Sequence, residues 1–305
     1  MKNKIGIIGD GQLGTRLFKS FKNNGFNVRC YSRKNGFDLK DPSVLNEILY
    51  ENTTIINCAA MTNVDGCEIE KQDAMHLNAI IPAVLGSINS YNDCKIVHIS
   101  TDYVYGDAQM EGGVPKDNSE DGFCIPVNFY GESKLAGDRA LLNNEEIKDR
   151  LLILRPSWLF DYESKNSIVA RLFDKFESGN NGNAIKVVDD IYGIPTSCDA
   201  IYDAVHSFIC DKLQPGCYNI RQSRAESDEV VTMYDVAEYI SQYFPAEKSL
   251  LERVKHTDFK TTAARQINSY LDIYKLNAQG IYPKVWCQSI DDFIKFKMNE
   301  ECRSD

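Results

Sequence analysis

The chain has 305 residues, a length that can bury one large core or two moderate ones. Its composition, 43% hydrophobic and 26% charged, is that of an ordinary globular protein. A net charge of −10 with no long basic run argues against nucleic acid or an anionic membrane as partner, while leaving room for an anionic small substrate. No stretch reaches the roughly 20 apolar residues of a membrane helix, and the apolar start stops at Gly9. The ten cysteines are scattered without a CxxC, so reduced thiols and a cytoplasmic setting are expected, with no metal cluster.

Lys4 to Ile8 reads as a strand, Gly9-Asp10-Gly11-Gln12-Leu13-Gly14 as a tight turn, and Thr15 to Asn24 as a helix with Leu17, Phe18 and Phe21 on one face. Gly25 stops that helix and Asn27 to Tyr31 reads as a second strand. Strand, glycine turn, helix and strand within about 30 residues form a βαβ unit, the context that gives a GxGxxG pattern its meaning. The alternation continues. Helices are expected over 44–50, 73–90 and from Lys134 to about Leu142, and strands over 53–58, 95–100 and 151–155. This rhythm predicts an α/β, Rossmann-type doubly wound parallel sheet.

After Pro156 the rhythm breaks. Helices are expected over 168–177, 198–210, 232–244, 271–276 and 289–297, and strands over 185–188 and 217–220. The expected organisation is a dinucleotide-binding domain over 1–157, with 196–221 returning to it, and a smaller mixed α/β substrate-binding domain made of 158–195 and 222–305.

Ligands of open α/β sheets bind beyond the carboxyl ends of the strands. Gly9, Gly11 and Gly14 permit a tight turn and close backbone approach to a pyrophosphate, which the following helix N-terminus attracts. The second strand closes on Tyr31-Ser32-Arg33-Lys34, with no acid to bind a ribose 2′-OH; Arg33 and Lys34 favour a 2′-phosphate, and hence NADPH over NADH.

The strand over 95–100 runs into Ser100-Thr101-Asp102, and Asn128-Phe129-Tyr130-Gly131-Glu132-Ser133-Lys134 follows. Residues four apart share a helix face, so Lys134 can approach Tyr130, and a nearby cation lowers a phenol's pKa from about 10 into the range of acid–base work. Tyr-x-x-x-Lys alone carries little weight in a chain with 16 tyrosines, and Tyr91 and Lys95 match it by chance. The upstream Thr101 is what gives the Tyr130 pair its meaning.

With these residues in place the chain resembles the extended short-chain dehydrogenase/reductases, and within them the dTDP-4-dehydrorhamnose reductase family. The resemblance runs along most of the chain. Gly11-Gln12-Leu13-Gly14 is similar to the family's phosphate turn and Asp38-Leu39 to its adenine-side dipeptide. Asn57 to Asp65, containing Ala59, Ala60 and Met61, is similar to N-A-A-x-T-x-V-D. Ser100 to Tyr105 is similar to S-T-D-Y-V-F, Asn128 to Gly137 to N-x-Y-G-x-[ST]-K-L-x-G, Arg155 to Trp158 to R-x-S-W, and Val188 to Thr196 to V-x-D-Q-x-G-x-P-T. Two departures stand out. Only Asp10 separates the first two glycines, and Arg265-Gln266-Ile267-Asn268-Ser269-Tyr270-Leu271 lacks the proline of R-P-x-x-S-x-L.

The resemblance implies NADPH-dependent reduction of the C4 ketone of a nucleotide-linked 4-keto-6-deoxy sugar, as in dTDP-L-rhamnose synthesis. It implies that Thr101, Tyr130 and Lys134 are catalytic. The implied cofactor residues are Gly9, Gly11, Gln12, Leu13, Gly14, Ser32, Arg33, Lys34, Asp38, Leu39, Ala59, Ala60 and Met61, with Tyr130 and Lys134. Thr101, Asp102, Tyr103 and Trp158 match substrate-side positions. Two other readings fit the same fold: a sibling nucleotide-sugar reductase or epimerase, and a non-catalytic regulatory subunit. A homodimer is a family-level expectation. Some relatives use Mg²⁺ at a glutamate-lined dimer interface, but those glutamates do not map onto this chain, and no metal ligand is assigned.

Overall fold

The structure, a computed structural model, describes residues 4–107, 110–111, 114–225 and 230–301. The outermost ends of the two expected domains, 1–3 and 302–305, and with them Cys302, lie outside the described residues.

Six parallel strands form the central sheet: β1 (Lys4–Ile8), β2 (Asn27–Tyr31), β3 (Thr54–Asn57), β4 (Lys95–Ile99), β5 (Leu151–Pro156) and β6 (Gly216–Ile220), in the order β2-β1-β3-β4-β5-β6. The inner strands are almost continuously apolar because helices cover both faces, whereas the edge strand β2 carries exposed Asn27 and Arg29. On one face Ile5, Ile7, Ile56, Val97, Leu152 and Leu154 meet Leu17 and Phe21 of α1 (Gln12–Asn23) and a later helix carrying Ile201, Val205 and Phe208. On the other, Ile8, Tyr31 and Ile55 pack against Leu45, Ile48 and Leu49 of α2 (Pro42–Glu51) and Ile81 and Leu85 of α3 (Ile81–Asn89). Alternate residues of each strand serve alternate faces, as the pleat requires. The expected helix over 73–90 is a run of helical turns whose middle, His76–Ile80, widens into a π turn.

The longer helices that follow, in chain order, are α4 (Phe129–Leu142), α5 (Ile168–Glu177), α6 (Cys198–Ile209), α7 (Met233–Ser241) and α8 (Trp286–Glu301). A second hydrophobic cluster joins Phe173 and Phe176 of α5, Val236 and Ile240 of α7, and Trp286, Ile290 and Phe293 of α8 to Ile185 and Val187. The strand Ile185–Val188 pairs in parallel with Leu251–Val254, a strand not expected from its charged centre. The expected helix over 271–276 begins only at Tyr274. Leu271 is instead a buried bridge to Asn118, and its carbonyl accepts Arg221 Nε at 2.7 Å.

The sheet order reverses at β1. The chain leaves β1 toward β2 on one side and returns to β3 on the other, which opens a crevice at the carboxyl ends of β1 and β3. Everything described next lies around that edge.

Candidate active site

Gly9 follows β1 with φ +99°, and a Cβ there would meet Ala59 N at 2.9 Å. A Cβ on Gly14 would lie 2.1 Å from the Gly9 carbonyl. These two glycines therefore let α1 start hard against the ends of β1 and β3. Gly11 is different. It stands at the N-cap of α1 with no side-chain capping bond, and a Cβ would meet nothing within 4 Å. The first turn holds no acidic residue. Uncapped amides at the positive end of a 12-residue helix, facing open space, suit the pyrophosphate of a dinucleotide.

The other expected cofactor residues surround this point. The Gln12 side chain accepts Ser164 Oγ at 2.7 Å, and Leu13 is buried beneath the turn. The Ala59–Met61 shelf is held by the buried Asn78, whose Oδ1 accepts Met61 N at 2.8 Å and whose Nδ2 donates to Ser133 Oγ of α4 at 2.9 Å. Ala59 N donates to Asn57 Oδ1 at 3.2 Å. Past β2, Ser32 is buried, and Arg33 and Lys34 sit in a short 3₁₀ turn. Lys34 pairs with Asp10 of the glycine turn at 3.2 Å. Asp38 Oδ1 accepts Lys40 N at 3.0 Å, and Leu39 is packed in the core beside Tyr31.

Thr101 leaves the sheet after β4 and caps a short turn over Asp102–Val104. Its Oγ1 accepts Tyr103 N at 3.3 Å and donates to Asp102 Oδ1 at 3.0 Å. Tyr130 is the second residue of α4, whose start is pinned twice: Asn128 Oδ1 accepts Gly131 N at 2.9 Å, and Glu68 Oε1 accepts Phe129 N at 2.8 Å. A Cβ on Gly131 would lie 2.3 Å from the Tyr103 carbonyl. That close approach sets the Tyr130 ring edge-on to Tyr103, with centroids 5.6 Å apart, and its phenol beside the Thr101 hydroxyl. Thr101 and Tyr130 are thus brought together, both buried.

Lys134 shares the helix face with Tyr130 but directs its ammonium downward. Nζ donates to the Ile99 carbonyl at 2.7 Å and lies 3.4 Å from His98 Nε2. Burial pulls its pKa down to about 8, against the neighbouring Asp138 carboxylate. Burial, opposed by the Thr101 contact and reinforced by Asp102, pushes the Tyr130 phenol above its ordinary value. The expectation that Lys134 lowers the Tyr130 pKa is corrected here: desolvation dominates, and the ammonium is turned toward β4.

Beneath Lys134 runs a buried polar network that spacing alone did not suggest. Asn57 Nδ2 lies 3.2 Å from His98 Nδ1; with that amide donating, the imidazole proton sits on Nε2, which faces Asp138 Oδ1 at 3.6 Å. Burial, Lys134 and Arg155 hold His98 well below its usual pKa, so it is neutral. Asp138 Oδ2 accepts Ser100 Oγ at 2.9 Å and Arg155 Nε at 3.0 Å. Arg155 continues to Tyr105 Oη at 2.9 Å, which donates to Asn219 Oδ1 at 2.7 Å. Asp138 stands four residues beyond Lys134 on α4, the same spacing that pointed to Lys134 itself.

The substrate side is closed by a late segment. Asp65 accepts Ala263 N at 2.8 Å and Arg265 Nη2 at 2.5 Å. Asp107 Oδ1 accepts the amides of Ile267 and Asn268 at 2.7 and 2.9 Å. Ser269 stands on the Asp102 side of this segment, while Asp102 Oδ2 is buried with no hydrogen-bond partner among the described residues. Gln266, standing where the family pattern has proline, accepts Gly106 N at 3.2 Å and donates to the Asn268 carbonyl at 2.6 Å. Trp158 adopts φ +39°, costly for a non-glycine residue, and lays its ring against Gly193, where a Cβ would meet it at 2.8 Å. Cys124 lies half-buried against the cluster of Val104, Tyr105, Leu135 and Leu271, and burial pushes its thiol up.

The family model described as the RmlD substrate binding domain matches residues 3–298. The chain belongs to this family. Among curated relatives, the RmlD-family chain is 26% identical over 273 residues to the dTDP-4-dehydrorhamnose reductase of Mycobacterium tuberculosis, covering 90% of this chain and 86% of that one. It is equally identical over 286 residues to the spore coat polysaccharide biosynthesis protein SpsK of Bacillus subtilis, covering 93% and 94%. Among solved structures, the dTDP-4-dehydrorhamnose reductase of Clostridium acetobutylicum superposes with a TM-score of 0.84 at 26% identity over 97% of this chain and 99% of that one. The Bacillus anthracis enzyme, solved with NADP, gives 0.83 at 26% identity over 96% and 99%. As a member of the RmlD family the chain is an oxidoreductase of the dTDP-4-dehydrorhamnose reductase type.

Proposed function

We propose that the protein reduces the C4 ketone of a dTDP-linked 4-keto-6-deoxy sugar with NADPH, converting dTDP-4-dehydro-L-rhamnose to dTDP-L-rhamnose. The observation that carries this reading is the buried contact of the Tyr130 phenol with Thr101 beside a crevice whose helix N-terminus is uncapped. NADPH, when bound, supplies the hydride. Gly9, Gly11 and Gly14 with the α1 amides hold its pyrophosphate, Ala59 to Met61 flank it, Ser32 with Arg33 and Lys34 takes the ribose 2′-phosphate, and Asp38 and Leu39 lie on the adenine side. Tyr130 protonates the ketone oxygen as negative charge develops there. A phenol kept above its ordinary pKa is protonated at neutral pH, the state an acid in the reducing direction needs. Lys134 adds positive charge beneath the site, while Tyr103 and Trp158 border the sugar.

The division into a dinucleotide-binding part (1–157 with 196–221) and a sugar-binding part (158–195 with 222–305) belongs to this reading. The second hydrophobic cluster around α5, α7 and α8 supports it.

NADPH oxidation against a panel of dTDP-, GDP- and UDP-linked 4-keto sugars tests the proposal. Turnover with dTDP-4-dehydro-L-rhamnose is expected, and Tyr130→Phe should abolish it while NADPH still binds. Wild-type turnover in that variant would refute the role of Tyr130, and tighter binding of NADH than NADPH would refute the cofactor. Gln266 in place of proline favours a sibling sugar as the second reading, and the same panel identifies it by which substrate is consumed.

A further inference from the structure

Lys134 and Asp138 lie four residues apart on one face of α4, and both are buried. At that spacing a lysine and a carboxylate can pair, and a buried charge is costly unless it is paired. Yet Asp138 pairs with Arg155 and faces His98, and no ion pair joins it to Lys134. Its Oδ2 serves Ser100 and Arg155, while its Oδ1 is buried without a hydrogen-bond partner among the described residues. The Lys134 ammonium goes to the Ile99 carbonyl at 2.7 Å. Both ends meet at one atom: His98 Nε2 lies 3.4 Å from Lys134 Nζ and 3.6 Å from Asp138 Oδ1.

We propose that His98 is a positioning residue, an imidazole spacer that keeps the Lys134 ammonium off the Asp138 carboxylate and so holds the cation at the Tyr130 end of the site. This rests on the ketone-reduction reading above, in which Lys134 supplies positive charge to the reacting end.

The ring is locked in that place. Ala59 N donates to Asn57 Oδ1 at 3.2 Å, which leaves Asn57 Nδ2 for His98 Nδ1 at 3.2 Å. With Nδ1 accepting, the ring proton sits on Nε2, on the side of Asp138 Oδ1. The carboxylate oxygen thus faces a dipole where an ammonium would otherwise bring a full charge. The groups facing Lys134 are Asp138 and Tyr130 on its own helix, Cys58 just beyond β3 and His98 on β4; those facing His98 are Lys134 and Arg155 of β5. Burial pushes the Cys58 thiol up to about 12, so Asp138 is the one carboxylate among them that can draw the cation away. Burial pulls the Lys134 pKa down to about 8 with Asp138 opposing, and removing the spacer strengthens that opposition.

A double-mutant cycle read by NMR tests this. The isotope-labelled Cε signal of Lys134, assigned by its absence in Lys134→Met, is titrated without substrate in wild type, His98→Ala, Asp138→Asn and the double variant. The wild-type midpoint is expected near 8. His98→Ala should raise it by about one pH unit, a tenfold gain in proton affinity, as the ammonium falls onto Asp138 Oδ1. Asp138→Asn should lower the midpoint in both backgrounds, by about tenfold more in proton affinity where His98 is absent. His98→Gln, whose amide N–H can stand where Nε2–H does, should return the wild-type midpoint. If circular dichroism shows His98→Ala unfolded, His98→Asn takes its place in the cycle, since it keeps the Asn57 contact and falls short of Asp138. An Asp138→Asn shift of equal size with and without His98 overturns the proposal; water filling the vacated space would give that result. Steady-state kinetics supply the second readout. The kcat of each protein should fall as pH rises through its own Lys134 midpoint, and His98→Ala should lose about 100-fold at neutral pH through the displaced cation. A raised midpoint with wild-type kcat overturns the positioning role. A wild type that turns over no keto sugar refutes the assigned reaction instead, and the NMR cycle still decides whether His98 separates the pair.

Discussion

Gly131→Ala is the sharpest test of how the fold sets the chemistry. The added Cβ would stand 2.3 Å from the Tyr103 carbonyl and 2.9 Å from the Pro126 ring, where ordinary contact begins near 3.4 Å. The carbonyl cannot swing aside, because Thr101 caps the turn that holds it, and α4 cannot slide, because Asn128 and Glu68 pin its first amides. The helix and the turn must part by about 1 Å, which separates Tyr130 from Thr101. A displacement of that size at a reacting group costs about 100-fold in rate, or about 2.7 kcal/mol of transition-state stabilisation. Overpacking of a buried contact costs about 1–3 kcal/mol of stability. Steady-state NADPH oxidation with a dTDP-4-keto sugar reads the first number and urea unfolding the second, with NADPH affinity near wild type because the α1 turn lies elsewhere. A folded Gly131→Ala protein with wild-type kcat would refute the claim that the Gly131–Tyr103 approach positions Tyr130.

Three further outcomes are expected. Gly11→Ala should lose no more than about 1 kcal/mol of stability, since its Cβ meets no protein atom, yet bind NADPH at least about tenfold more weakly, as read by thermal melting and fluorescence titration. Asp138→Ala should cost about 3–5 kcal/mol in a denaturant titration by stranding Arg155, while the apolar pair Asp138→Leu with Arg155→Met should recover most of it. Asp102 carries a pH signature in stability as well: between its unfolded value of 3.8 and its folded value of about 6 the native state holds a proton the unfolded chain has released. Stability should therefore fall by roughly 3 kcal/mol as pH rises through that window, and Asp102→Asn should lack the fall.

The parallel sheet was legible because buried strands between helices leave a simple trace: short apolar runs, several of them ended by a glycine or hydroxyl turn. The same logic placed Thr101 at a strand end and Tyr130 near the start of a helix. Helical spacing says which face a side chain leaves from, not where a long one ends, so it could not reveal that Lys134 reaches under the site to Ile99 and His98. Asp138 and Arg155 were invisible as a pair because their link joins a helix to a strand. Leu271 misled for a related reason. Its helical neighbourhood is overridden by Arg221 and Asn118, partners 50 or more residues away. The strand Leu251–Val254 is paired at one side only and carries Glu252 and Arg253 at its centre, so its alternation was too faint to separate from a loop.

The clasp between Asp65 and the segment from Ala263 to Ser269 also has a consequence for the order of assembly. The glycine turn, α1, β2 and β3 join neighbours within the first 60 residues, contacts that close quickly and early in synthesis. Arg265 finds Asp65 across 200 residues, and the Ile267 and Asn268 amides find Asp107 across 160 and 161. Loop closure of that length comes late. A nascent chain can thus present a finished cofactor crevice while its catalytic end still lacks the segment that closes it. Competence for chemistry arrives as one of the last events of folding, and destabilising the clasp would produce a protein that binds dinucleotide and does nothing with it.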